Sequence, residues 1–314
     1  METIIITGGT GKVGKYLIQV LKKQNYHIIV FTTDLSKDET IINDITYKYW
    51  EPKHLIYDKA SFEKATYVIN LAGAGIVDKR WDAARKTEII KSRTISGKCI
   101  VHAMASIKNN IKAVVSASAI GWYGADLDKN IPPMTEEMAP SDDFLGKTCL
   151  GWENSVQPIA TVLNTRLIIF RFGLILMNDG GFFTEVQKPI NLNIKPIFGT
   201  GRQIYSWIHI EDLCKMILLS LKNDKIKGIY NAVAPQTISA KEYASCAATV
   251  NGNLFTVPVA LPETALKIIL GEMATELTKS CTVSAKKIIQ AGFKFKYNNI
   301  NSALTALHQE KVKE

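Results

Sequence analysis

Ile6-Thr7-Gly8-Gly9-Thr10-Gly11-Lys12-Val13-Gly14 is the stretch on which the fold of this chain turns. The β-branched run Thr3 to Thr7 enters it as a strand, and Val13 to Lys23 leaves it as a helix with Val13, Leu17, Val20 and Leu21 on one face. His27 to Thr32 then reads as a second strand, completing one βαβ unit. Gly8, Gly11 and Gly14 lie three apart between strand and helix. In that setting the first glycine allows a tight turn, the second lets the backbone approach a pyrophosphate, and the third lets the helix pack closely on the strand. The first N–H groups of the helix point at the same place, at its positive end. Thr7, Gly8, Gly9, Thr10, Gly11, Lys12, Val13 and Gly14 are therefore candidate contacts for a dinucleotide.

Working outward, strand-length apolar runs recur at Thr66 to Leu71, Lys112 to Ser116 and Thr165 to Phe170. Helical spacing at about Trp81 to Ser106 and Thr148 to Ala160 separates them. Strands alternating with helices imply an α/β fold, a Rossmann-like doubly wound parallel sheet covered on both faces. After Arg171 the texture changes, with Gly180, Gly181, Pro189, Pro196, Gly199 and Gly201 punctuating the chain. Shorter helical patterns follow at Ile210 to Leu221, Ala240 to Val250, Leu261 to Leu270 and Ser284 to Ala291. Two parts are expected: a dinucleotide-binding domain over residues 1–175 and a smaller mixed α/β cap lobe over 176–314, from which one strand and helix can return to the sheet.

Composition narrows the classes of function. The 46% hydrophobic and 21% charged content of the 314 residues is that of a soluble globular protein. No stretch reaches the roughly 18 uninterrupted apolar residues of a membrane span. Met1 leads almost directly into Ile4, Ile5 and Ile6, so no secretion signal is expected. Cys99, Cys149, Cys214, Cys246 and Cys281 are far apart and form no C-x-x-C pair, which argues against a disulfide framework or a metal site and for a reducing cytoplasm. The net charge of +9 is spread among acids without interleaved aromatics, so no nucleic-acid partner is expected. Asp34 lies twenty residues beyond Gly14, where an acid can accept from the adenosine ribose. A carboxylate there repels a 2'-phosphate, so it leans toward NAD, with Lys37 close by and a plain turn role ahead of Ser36 as the alternative.

The glycine loop, Asn70-Leu71-Ala72-Gly73, Ser116 to Gly124 and Trp207-Ile208-His209-Ile210-Glu211-Asp212 together resemble the extended short-chain dehydrogenase/reductases. Arg80-Trp81, Glu88, Ser92-Arg93, Trp152-Glu153, Gly199 to Gln203 and the tail from Val257-Pro258 to Gly292-Phe293 are similar to an atypical epimerase-family branch of that superfamily. Members of the branch end in a conserved tail of unknown function, here about 257–305. The resemblance implies NADP or NAD as cofactor. It places Thr33 and Asp34 at the adenosine ribose, Leu71, Ala72, Gly73 and Ser116 along the cleft, and Glu88, Arg93 and Arg171 near the cofactor, with Ile175 at its nicotinamide end. The branch commonly has an arginine where this chain has Asp34, so the resemblance favours NADP while the residue favours NAD.

Hydride chemistry at a carbinol needs a proton carrier. In typical members of the superfamily a Tyr-x-x-x-Lys pair supplies it, the lysine drawing the phenol down from its usual value near 10. Matching Trp152-Glu153 to that helix puts Leu145 at the tyrosine and Cys149 at the lysine position. Lys147 is two residues out of register and so about 200° around the helix. Ser118, which matches the superfamily's catalytic serine or threonine, and Tyr123 remain as catalytic candidates. His209 is expected to support the cap, and nothing local marks Cys149 as an activated thiol. Arg80, Trp81, Gln203 and Trp207 are the expected substrate contacts. Two readings follow: an NAD(P)-dependent epimerase or oxidoreductase acting on a small polar or nucleotide-linked substrate, or a non-enzymatic NAD(P)-binding module that engages a partner.

Overall fold

A computed structural model describes residues 1–126, 132–253 and 255–313. In chain order its first half holds β1 (Thr3–Thr7), α1 (Lys12–Lys22), β2 (His27–Thr32), β3 (Ile41–Ile42), β4 (Ile45–Tyr49), α2 (Lys59–Lys64), β5 (Tyr67–Asn70), α3 (Ala83–Ser106), β6 (Ala113–Ala119), α4 (Phe144–Val156), α5 (Pro158–Thr161) and β7 (Arg166–Phe172). There follow β8 (Leu174–Leu176), α6 (Gly181–Ile190), β9 (Ile194–Phe198), β10 (Ile204–Tyr205), β11 (Trp207–His209), α7 (Ile210–Lys222), β12 (Gly228–Ala232), β13 (Ile238–Ser239), α8 (Ala240–Val250), β14 (Val257–Leu261), α9 (Glu263–Leu270), α10 (Ala274–Thr278), α11 (Lys286–Gln290) and α12 (Ile300–Lys313).

The main sheet has the order β12-β7-β6-β5-β1-β2-β4-β3 and is parallel except for the β3–β4 pair. The doubly wound α/β class read from the sequence is the one found. β1 is buried on both faces, as a central parallel strand must be. Its alternation splits the core: Ile4 and Ile6 pack with Leu17 and Leu21 of α1 and Leu213 and Ile217 of α7. Ile5 faces the other way, toward Cys99 and Ile100 of α3 and Val156 of α4. Burying a leucine or isoleucine this fully stabilises the fold by about 1.5–3 kcal/mol each, so α1 is held by its apolar stripe rather than by a cap. Gly11, its N-cap residue, has no side chain to serve as one.

Several boundaries differ from the sequence reading. The helix expected from Thr148 starts at Phe144, because Asp143 accepts from Gly146 N at 2.7 Å and caps it. It stops before Pro158, whose missing N–H suits the first position of the separate turn α5. The strand expected to end at Ser116 runs on to Ala119, which places Ser118 inside it, opposite Arg171 of β7. β4, α6 and α12 have no counterpart in that reading. β12 returns to the main sheet beside β7. The segment around Cys281 to Val283 threads between the chain after β6 and the β10–β11 turn: Met134 N donates to Thr282 O, and Ser206 Oγ donates to Cys281 O. A separate core of Trp207, Tyr243, Leu304 and Leu307 joins β11, α8 and α12. No described helix is long and apolar enough to cross a membrane.

Candidate functional site

The C-terminal ends of β1, β2, β5 and β6 lie side by side, so their loops share one rim. Gly8 has φ +70°, and a Cβ there would stand 2.6 Å from Leu71 C and O. The glycine loop thus rests directly on the backbone leaving β5. A Cβ on Gly14 would meet Gly8 O at 2.5 Å and Gly9 Cα at 2.6 Å, so α1 and the loop touch through backbone alone. Gly9 lies against Val30 of β2, and Gly11 N closes the turn onto Gly8 O at 3.0 Å. Thr10, Gly11 and Lys12 are exposed on this rim, with Val13 half-buried behind them. Lys12 reaches across to Gly180, ahead of α6. This is a cradle that presents backbone N–H groups at the positive end of α1, which is what a pyrophosphate requires.

Two of the expected cofactor contacts are used internally instead. Thr7 Oγ1 donates to Asn70 Oδ1 at 2.8 Å, and Asn70 Nδ2 donates to Ser116 Oγ at 3.3 Å. Thr7, Asn70 and Ser116 are all buried, forming a polar row that stitches β1, β5 and β6 below the rim. Their side chains therefore support the cleft without lining it. Leu71 and Ala72 are half-buried and Gly73 exposed at the cleft edge.

Beyond β2, Thr33 is exposed and Asp34 caps a short 3-10 turn over Leu35–Lys37. Asp34 Oδ1 accepts from Ser36 N at 3.1 Å and Ser36 Oγ at 2.6 Å, while Lys37 Nζ stands 3.1 Å from Oδ2. The hydrogen bonds from Ser36 and Lys37 hold this carboxyl below its ordinary range. On α3, Glu88 is exposed and pairs with Arg85 Nη1 at 2.7 Å. Arg85 also donates to Gly75 O, so this pair braces the loop after β5. Arg93 is different. It is buried behind Gly73, its guanidinium lies 4.9 Å from the Trp152 ring centre, and its hydrogen bond goes to Ile89 O at 3.0 Å. Burial pushes its pKa down to about 10, and no carboxylate among the described residues offsets that. A buried cation of this kind beside the rim fits an anionic ligand.

At the β6–α4 crossing Ser118, Tyr123, Glu153 and Arg171 are committed to one another and to Asn231. Ser118 Oγ donates to Glu153 Oε1 at 2.7 Å. Arg171 grips the same carboxylate through Nε at 2.8 Å and Nη2 at 3.0 Å, with exposures of 1% and 3% for the pair. Trp122 lies flat on the Arg171 guanidinium at 3.7 Å. The Tyr123 hydroxyl accepts from Arg171 Nη1 at 2.9 Å and donates to Asn231 Oδ1 at 2.7 Å. Burial pushes its pKa up to about 12. Tyr123, expected as a catalytic phenol, therefore faces the interior, and Arg171, expected at the cofactor, is an internal counter-ion.

Leu145 and Cys149, the positions at which the resemblance would set a proton-carrying pair, are filled by packing. Leu145 is buried with Trp81, Ile89 and Met273, and its Cβ stands 3.0 Å from where Gly121 would carry one. Cys149 is buried, donates weakly to Ala119 O at 3.6 Å, and has its thiol pushed up to about 12 by burial. His209 caps α7 by accepting from Glu211 N, stacks 3.9 Å from Tyr297, and is driven down to about 4 by burial. Its ring is thus spent on the start of α7 and on Tyr297.

The expected substrate contacts separate into two groups. Arg80 is exposed and lies along Gly271, and Trp81 is buried edge-on to Phe144 with Nε1 donating to Ile76 O at 2.8 Å. Gln203 and Trp207 correct the sequence reading. Gln203 Nε2 donates to Phe198 O, Tyr205 Oη and Leu277 O, and Trp207 is fully buried with Leu176 and Tyr243. Their place in the motif comes from joining β9, α10 and the C-terminal core, and neither faces a cleft. Ile175 is half-buried on β8, opposite Ile208. Glu153, Trp122 and Asn231 were not singled out as site residues. One signal was available for Glu153: Arg171 sits inside the apolar run Leu167 to Phe172, and a charge there needs a buried partner.

Comparison with known proteins gives the family and the fold. Residues 4–149 match the NAD dependent epimerase/dehydratase family, and residues 261–307 match the Domain of unknown function (DUF1731). An Epimerase family protein of Staphylococcus aureus is 34% identical over 99% of this chain and 100% of its own length. An Epimerase family protein of Staphylococcus epidermidis is 32% identical over 98% of this chain and 99% of its own. The structure of the human epimerase family protein SDR39U1 (isoform 2) with NADPH superposes with a TM-score of 0.85 at 22% identity, covering 98% of this chain and 99% of that one. UDP-glucuronic acid 4-epimerase from Bacillus cereus, solved with UDP-glucuronic acid and NAD, gives 0.80 at 17% identity over 99% of both chains. At those identities the two structures speak to the fold.

Proposed function

The chain belongs to the epimerase family, and from that premise we propose that it binds NAD or NADP across the loops after β1, β2 and β5 and presents the nicotinamide to a small polar or nucleotide-linked substrate. The observation that carries this reading is the side-chain-free contact among Gly8, Gly14 and the Leu71–Ala72 backbone. Arg93 supports it as a buried cation with no carboxylate beside it among the described residues. Bound there, the cofactor supplies hydride chemistry. The chain's own residues bind and orient: the rim holds the pyrophosphate, Asp34 meets the ribose, and Arg93 offsets phosphate charge from behind Gly73. Of the expected substrate contacts Arg80 stays exposed, while Trp81 is packed against Phe144. The five unpaired thiols support a cytoplasmic setting.

A second reading has its own observation. With Leu145 and Cys149 packed and the Ser118 proton given to Glu153, no side chain of the expected set is poised to move a proton. This favours a module whose nucleotide occupancy is the signal, without turnover. A fluorescence titration with NADH and NADPH at one salt concentration tests the common core of both readings. Saturable binding of either is the expected result, and binding of neither overturns both. Two assays then divide them: NAD(P)H absorbance followed with carbonyl compounds detects net reduction, and chromatography of nucleotide sugars incubated with the chain and NAD or NADP detects redox-neutral epimerisation; turnover in either supports the enzyme, and binding without turnover in both supports the module.

A further inference from the structure

The turn after β2 carries a charge pair rather than a lone acid. Lys37 N donates to Asp34 O at 3.1 Å, and Thr40 Oγ1 donates to Lys37 O at 2.6 Å, so the backbone of Lys37 is tied on both sides. That turn brings Nζ to 3.1 Å from Asp34 Oδ2, while Ser36 occupies Oδ1. Both side chains remain accessible, at 41% and 45%. A single carboxylate at this place would accept a ribose 2'-hydroxyl and repel a 2'-phosphate. A carboxylate with an ammonium against it is locally neutral. It can give Oδ2 to a hydroxyl, or give the ammonium and the Ser36 hydroxyl to a phosphate.

We propose that Lys37 is a specificity-determining residue, which admits the 2'-phosphate of NADP beside Asp34 and makes the chain accept both dinucleotides. This rests on the dinucleotide site proposed above. Lys37 is a point charge on a flexible stem, so it can leave Oδ2 for a phosphate without moving the turn. Asp34 then keeps its hydrogen bond from Ser36 N and its place as the cap of the turn. The lysine answers to phosphate charge alone, so NADH has no use for it.

The test is a titration of the full chain with NADH and with NADPH, at low and at physiological salt, for wild type, Lys37→Ala and Lys37→Arg. Wild type is expected to bind both within about tenfold of each other. Lys37→Ala should weaken NADPH about tenfold while leaving NADH within about twofold, and Lys37→Arg should retain NADPH. The wild-type NADPH affinity should fall more steeply with salt than that of the alanine variant. Equal losses for both dinucleotides in Lys37→Ala, or no change in either, would overturn the proposal, as would a wild type that binds NADH and not NADPH. A wild type that binds neither overturns the dinucleotide site itself, which is a separate failure.

Discussion

The β1–α1 and β6–α4 crossings are built alike, each a parallel strand that ends at the rim and leads by a loop to a covering helix, yet they do opposite things with their side chains. At β1–α1 side chains are missing where they would interfere: Gly8 and Gly14 let three backbone segments touch, and the start of α1 is left open. At β6–α4 the polar groups named are matched inward, Ser118 and Arg171 to Glu153 and Tyr123 to Asn231, and Leu145 packs in an apolar cluster with Trp81 and Met273. A dinucleotide is held mostly by backbone geometry, whereas proton transfer depends on particular side chains. The first crossing has the form that backbone recognition needs, and in the second the side chains named are spent on one another. Four experiments can break or sharpen that contrast.

The largest effect should come from the buried pair. Replacing Arg171 with methionine leaves the Glu153 carboxylate inside with Ser118 as its remaining donor, and should cost about 3–5 kcal/mol in chemical denaturation. Arg171→Met combined with Glu153→Leu should recover most of that loss, because the hydrophobic pair needs no desolvated charge. If the single variant is as stable as wild type, the pair is not the keystone of this crossing. Next is His209, whose burial lowers its pKa from 6.5 to about 4. In the unfolded chain the imidazole takes a proton near its ordinary value, and in the folded chain it does so only near 4. Stability that is present above about 6.5 is therefore lost as pH falls toward 4, by about 3 kcal/mol in all. His209→Gln should flatten denaturation midpoints across that window. A wild type with a flat profile there would instead mark His209 as a solvated, titrating group and reopen it as a proton carrier.

The third experiment addresses the open crossing. A valine at Gly14 would drive its Cβ into Gly8 O and Gly9 Cα, which are backbone and have no flexible end to swing away. The loop must shift, at about 1–3 kcal/mol, so NADH affinity should drop about ten- to a hundredfold. Loss of affinity with a preserved far-ultraviolet spectrum locates the damage at the rim. Unchanged affinity would show that the glycine loop does not touch the ligand.

How much of this was legible in the sequence follows the same division. The glycine loop could be read because backbone contact leaves a periodic mark: only glycine fits, and the marks fall three apart. β1, β2, β7 and α1 could be read from alternation and helical spacing. Of the β6–α4 network only the need of Arg171 for a buried partner could be read, since residues 118–123, Arg171 and Asn231 come from distant stretches and a serine that supports looks like a serine that reacts. Gln203 and Trp207 misled for a related reason. Gln203 ends a glycine-rich turn and Trp207 opens a second motif of the resemblance, both places that suggest a ligand, but here α10 and the C-terminal core close over them. Nothing local in the sequence announces a partner such as Leu277, 74 residues downstream of Gln203. β4 was missed because its residues are only half-buried beside the sheet edge, so the apolar signal is diluted.

The smallest effect concerns Leu145, the position at which the resemblance would set a tyrosine. Leu145→Tyr asks whether the closed crossing has room for that side chain. The leucine Cβ stands 3.0 Å from where Gly121 would carry one, and Leu145 shares a buried cluster with Trp81, Ile89 and Met273. A tyrosine adds a ring and a hydroxyl that finds only apolar atoms in that cluster, so the change should destabilise by about 1–2 kcal/mol through overpacking. NADH affinity should remain within about twofold, because the rim after β1 does not depend on this helix. Should the variant instead fold with wild-type stability and gain reactivity toward carbonyl compounds, the space beside Leu145 would be a reserved substrate pocket, and the contrast between the two crossings would lie in one residue rather than in the whole network.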